Sequence, residues 1–173
     1  MRKTIILIIG LLFSLHGISQ QVTLIEGIHL SWPHDMIKLN KEELKTFVRE
    51  QKFSRNLTKN NPRGTYRIGN IFIGVYDFKG DIKDNLDELK VSWDKYFKKD
   101  TGYRASLKHI NNYRLYAKSY QLKNLDHYTF SAIDNAHKLR LNIFIVSPKA
   151  DKDKAVAIID EMLSSLSFID SPE

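Results

Sequence analysis

Between Tyr103 and Ser147 the chain is a succession of extended segments rich in β-branched and aromatic residues, punctuated by residues that tolerate left-handed backbone. The segments run over about 103–110, 113–122, 126–134 and 138–147. Asn111-Asn112 and Asp134-Asn135 supply turn chemistry, so consecutive strands are expected to pair as hairpins. Leu139, Leu141, Ile143 and Ile145 alternate with Arg140 and Asn142, the period of a strand with one buried face. Phe144 and Val146 make the second half of that strand apolar on both sides, which suits a central position. Such a run commits this region to an antiparallel sheet, and the remaining segments have to pack on it.

Residues 22–32 read as one extended run that Pro33 ends. Residues 66–78 read as a second long strand, in which Gly69 and Gly74 mark a bulge or a close approach. Asn40 is placed as an N-cap, with Glu43 at the capping-box position and Leu44, Phe47 and Val48 on one face, which predicts a helix over about 41–52. A second helix is expected from about Asp84 to Lys99, with Leu86, Leu89, Trp93, Tyr96 and Phe97 at three-four spacing. A third spans about 151–166. Its stripe is Ala155, Ile158, Ile159, Met162, Leu163 and Leu166, and Asp151 and Asp153 favour its N-terminal end. Residues 54–65 form a polar loop. This order gives an α+β fold, a mainly antiparallel sheet with helices packed on it as an α/β/α-type sandwich.

Residues 1–19 carry a different signal. Arg2 and Lys3 precede an apolar run over 4–15, and Gly17-Ile18-Ser19 has small-x-small spacing, the layout of a secretory signal peptide cleaved between Ser19 and Gln20. The run ends at His16, short of the roughly 20 residues a spanning helix needs, so no transmembrane anchor is expected. Residues 20–173 then have the size of a single α+β domain. The chain has no cysteine, which excludes disulfides, thiolate zinc, a cysteine nucleophile and the acylated cysteine of a lipoprotein. Exported and cysteine-free, it fits a bacterial periplasmic or secreted protein, in which the sequon Asn56-Leu57-Thr58 is incidental.

No catalytic or cofactor motif stands out. His29, His34, His109, His127 and His137 contain no pair at i, i+4 and no H-E-x-x-H. Only His109 and His127, if they met across hairpins, leave a weak metal site open. There is no G-x-S-x-G. Asp77, Asp81, Asp84, Asp87 and Glu88 are interrupted by Lys79 and Lys83 and lack the closing glutamate of a calcium loop, so they read as the acidic start of a helix.

The charge pattern is more specific. The chain carries 27 Lys and Arg against 20 Asp and Glu, a net charge of +7. No acid occurs between Asp100 and Asp126, where Arg104, Lys108, Arg114, Lys118 and Lys123 are interleaved with Tyr103, Tyr113, Tyr116 and Tyr120. On a strand, Arg114, Tyr116, Lys118 and Tyr120 share one face. Cations among amphipathic rings suit a protein partner or an anionic envelope component. The same pattern also suits a solvated face whose tyrosines lie over a core. Basic and aromatic residues on a sheet can bind nucleic acid too, and export argues against that use.

Three stretches resemble the PsbP-like superfamily, which includes the photosystem extrinsic subunit, a yeast Ran-binding import factor and many bacterial exported proteins. GIHLSWPHDM (27–36) is similar to the family strand that enters at a proline. INNYRLYAKSYQL (110–122) is similar to a strand beginning i-n-g, with Asn112 where the family often has glycine. KAVAIIDEMLSSLSF (154–168) is similar to the closing helix and its serine-containing tail. The resemblance implies the same α+β sandwich and carries over no binding residue, because members of the superfamily bind unrelated things.

The expectation is an exported, non-catalytic binding or accessory protein without a cofactor, acting through the Arg114–Tyr120 face or the 54–65 loop. Three readings stay open beside it. One is an envelope immunity protein occluding a toxin, which a basic chain fits less well. Another is a carrier of a small apolar ligand between helix and sheet, lined by the aromatics of 93–97 and 128–130. The last is an enzyme without short motifs.

Overall fold

The computed structural model describes residues 20–25, 27–58, 64–80, 85–136 and 138–169. The leader, residues 59–63 of the expected loop, Asp81, Asp84 and His137 lie outside the described residues. The strands are β1 (Gln20–Ile25), β2 (Ile28–Trp32), β3 (Ile37–Lys38), β4 (Gly64–Ile68), β5 (Ile71–Lys79), β6 (Arg104–Ile110), β7 (Tyr113–Leu122), β8 (Leu125–Asp134), β9 (Leu139–Pro148) and β10 (Ser167–Phe168). The helices are α1 (Lys41–Glu50), α2 (Leu86–Phe97) and α3 (Lys152–Ser165). Among the described residues, seven strands form the central sheet in the order β3-β4-β5-β9-β8-β7-β6, and β1-β2-β10 form a smaller one. Every pairing in both sheets is antiparallel.

The hairpin run is as read from the residues. β6 to β9 pair in chain order, with Asn111 (φ 50°) and Lys123 (φ 58°) in left-handed backbone at the first two turns. Two other runs differ. The stretch 22–32 is a hairpin broken at Gly27 (φ 87°), and 66–78 belongs to the β4–β5 hairpin, whose turn holds Gly69 (φ 57°). Gly69 therefore makes a reversal rather than a bulge, because its positive φ turns the chain back within two residues.

The caps explain where the helices begin. Asn40 accepts from the backbone N–H of Glu42 and Glu43, and Glu43 returns a carboxylate to Asn40 N–H at 2.8 Å. Asn85 caps α2 by accepting from Asp87 N–H at 2.9 Å. Tyr96, at the edge of the expected α2 stripe, is 72% exposed and belongs to its outer side.

One face of the central sheet packs against α3 and the small sheet. Ile73, Leu115, Phe130, Leu141, Ile143 and Ile145 meet Ala155, Ile158 and Met162 of α3 and Ile28 and Leu30 of β2. Burying each of the larger aliphatic side chains contributes about 1.5–3 kcal/mol. The opposite face carries two separate clusters. At one end Leu44, Phe47 and Val48 of α1, with Phe53 and Leu57, cover Phe72 and Val146. At the other, Leu86, Leu89 and Trp93 of α2 cover Tyr116 and Ile133. Between these clusters a groove of about 860 Å³ opens over β5, β9, β8 and β7.

Gly74 shapes the floor of that groove. A Cβ there would stand 2.4 Å from Cε1 of Phe144, whose ring lies flat across the glycine. Gly74→Val is expected to cost about 1–3 kcal/mol by overpacking and to tilt the ring into the groove. A urea midpoint unchanged from the parent would contradict this close approach.

Candidate functional site

Strand alternation sets the groove's composition. Register pairs Tyr116, Lys118 and Tyr120 of β7 with Ser131, Thr129 and His127 of β8. Those pair with Asn142, Phe144 and Val146 of β9, which in turn face Tyr76, Gly74 and Phe72 of β5. The side chains of these residues belong to one face of the sheet.

Arg114, Tyr116, Lys118 and Tyr120 do share that face, as the period requires. They do not form an open platform. Tyr116 is 1% and Lys118 4% exposed, because α2 lies across β6 and β7 above them. Arg114 holds the start of that helix, its Nη2 donating to Oδ2 of Asp87 at 2.7 Å. The rest of the row is wall and floor of the groove. A period of two reveals which residues share a face and is silent about what covers it.

Lys118 has unusual surroundings. Its Nζ lies 2.8 Å from the ring centroid of Trp93, 4.2 Å from that of Phe97 and 5.7 Å from that of Tyr120. Tyr120 stacks in turn on His127, with centroids 4.8 Å apart and planes within 5°. Taking an ammonium out of water costs several kcal/mol. A ring face returns about 0.5–2 kcal/mol, so the rings offset part of that cost. Burial pushes the Lys118 amine down to about 7, a shift the ring faces oppose. The same burial lowers the His127 imidazole; Asp126 opposes this shift and Lys118 adds to it.

The remaining polar groups line the floor. Ser131 Oγ donates to Oδ1 of Asn142 at 2.6 Å, and Arg140 Nε donates to the same oxygen at 3.2 Å. Tyr76 Oη and His127 Nε2 are buried without a hydrogen-bond partner. Apolar walls come from Leu57, Leu89, Trp93, Phe97, Phe144 and Val146. Of the aromatics of 93–97 and 128–130 expected to line a carrier's cavity, Trp93, Phe97 and Tyr128 do so, whereas Tyr96 is exposed and Phe130 is buried in the core on the other side of the sheet. Tyr76, Ser131, Arg140 and Asn142 were not singled out from the sequence. Period-two alternation in 139–147 places Arg140 and Asn142 opposite the core, and it carries no signal that this opposite face is a groove.

His109 and His127 do not meet. His109 pairs with Arg114 and His127 with Tyr120, six residues apart on β7, or about 20 Å. Among the described residues, no group of three or more His, Cys, Asp or Glu is arranged to hold a metal ion. Asp35 accepts from Lys154 Nζ at 3.3 Å. No helix among the described residues is long and apolar enough to cross a membrane.

No protein-family model and no curated protein matches the chain. Among solved structures it is similar to cyanobacterial PsbP (CyanoP) from Synechocystis sp. PCC 6803, with a TM-score of 0.53 and 12% identity, over 89% of this chain and 95% of that one. It also matches LpqN, involved in cell envelope biogenesis of Mycobacterium tuberculosis, with a TM-score of 0.45 and 11% identity, over 90% of this chain and 88% of that one. The central antiparallel sheet, helices on both faces and the cyanobacterial likeness together give this chain a PsbP-like fold.

Proposed function

We propose that the chain is an exported, non-catalytic binding protein that lodges a small ligand in the groove between α1 and α2. The observation that carries this reading is the groove itself: about 860 Å³, largely apolar, with a few convergent polar groups on its floor. That combination is typical of small-molecule sites. The signal-peptide layout of residues 1–19 supports export. An accessory role toward a protein or an anionic envelope component, through an open Arg114–Tyr120 face, would require α2 to leave β7. The groove needs no such rearrangement.

The test uses protein made from the full-length gene in its own host and recovered from the envelope or the medium. Native mass spectrometry is expected to show a small-molecule adduct that denaturation releases. Thr129→Phe, which fills the groove beside Phe144, is expected to remove the adduct while leaving stability within about 1 kcal/mol. A stoichiometric protein partner with an empty groove would contradict the reading.

A further inference from the structure

We infer that the groove selects an amphipathic anion, its single acidic head seated at Lys118 and its apolar body laid over Phe144. This inference rests on the binding-protein reading and gives the ligand its chemical class. Lys118 is 4% exposed, and no carboxylate pairs with it among the described residues. Its amine is met by ring faces alone, so the protonated form has no counter-ion among the described residues. The bases Lys118, His127 and Arg140 line the groove, and among the described residues no Asp or Glu does. His127 Nε2, buried and unpartnered, stands on the same face opposite Tyr120, two residues along β7 from Lys118, and offers a second donor to an acid oxygen.

Register separates the head from the far end. Lys118 stands opposite Thr129, whereas Arg140 stands opposite Ile133, four residues along β8 and about 13 Å away. Arg140 is already engaged by Asn142. An acidic head at the Lys118 end would hold the proton on Lys118 and form a charge-assisted pair with it. From there Leu57, Leu89, Phe97, Phe144 and Val146 offer an apolar bed for the body of the ligand. A carboxylate and a phosphate monoester share this chemistry.

The test is calorimetric titration of protein made from the full-length gene and delipidated. The probes are dodecanoate, dodecyl phosphate, dodecyltrimethylammonium and dodecyl maltoside, each below its micelle concentration. At least one of the two acids is expected to bind about tenfold or more tightly than the maltoside, with the quaternary amine weakest. Which acid binds better distinguishes a fatty-acid source from a phosphate one. Lys118→Met is expected to bring the acids to the maltoside's affinity, and Lys118→Arg to keep the preference. His127→Phe, which keeps the stack on Tyr120, is expected to weaken the acids without affecting the maltoside.

Acids and maltoside binding within about threefold of each other would overturn the anionic assignment and leave the groove reading standing. A preference that survives Lys118→Met would overturn the seating of the head. Failure of all four probes, with no adduct on the host-derived protein, would overturn both readings.

Discussion

Replacing Lys118 with methionine is expected to stabilise the protein by about 1–4 kcal/mol at neutral pH, on the order seen when buried ion pairs give way to well-packed apolar side chains of similar volume. The pH dependence identifies the cause. In the unfolded chain Lys118 holds its proton to about pH 10.4, whereas in the native protein burial lowers that limit to about 7. Between those values the unfolded state binds more protons, so wild-type stability should rise with pH, by up to about 1.4 kcal/mol per unit. The faces of Trp93, Phe97 and Tyr120 favour the protonated amine and so narrow that window from its lower end. Near pH 10 the trend reverses, because burial raises the pKa of Tyr76 and Tyr120 and keeps their protons on in the native state. Urea unfolding at pH 7, 8 and 9 is the measurement. A wild type and a Lys118→Met variant with parallel profiles would show that Lys118 is solvated in the native protein.

Trp93→Ala is expected to cost about 3 kcal/mol, the low end for losing a large aromatic from a packed interface, since Trp93 is only partly buried. Trp93 packs α2 onto Tyr116 and Ile133 and stacks on Phe97 with centroids 5.0 Å apart. Part of the loss belongs to the Lys118 contact. A double-mutant cycle with Lys118→Met isolates it, with an expected coupling of about 0.5–2 kcal/mol. Zero coupling would mean that the ring and the ammonium do not interact, and the groove would lose the feature that sets its charge.

Most of the sheet was legible in the residues because its signals are local. Period-two alternation and Asn/Asp turns specify β6 to β9, and the Asn40–Glu43 pair specifies the start of α1. The two glycine hairpins lay inside apolar runs, where Glu26-Gly27 and Gly69-Asn70 are short turn signals that a reading of each run as one long strand passes over. The insertion of β9 between β5 and β8 depends on contacts across the whole chain and has no local signature. The site was half legible. Alternation grouped Arg114, Tyr116, Lys118 and Tyr120, and helical spacing grouped Leu89, Trp93 and Phe97. Nothing in either pattern says that the second group lies on the first. That contact turns an expected open, partner-binding face into the wall of a groove.

The most direct test of the groove as the functional site is a two-dimensional NMR titration of the labelled protein with dodecanoate. The expected result is saturable shifts at Lys118, Thr129, Ser131 and Phe144 and at the indole of Trp93, with the α3 face unmoved. Shifts gathered instead on α3 and β2, or spread along the exposed edge of β6 with Lys118 and Trp93 silent, would contradict it.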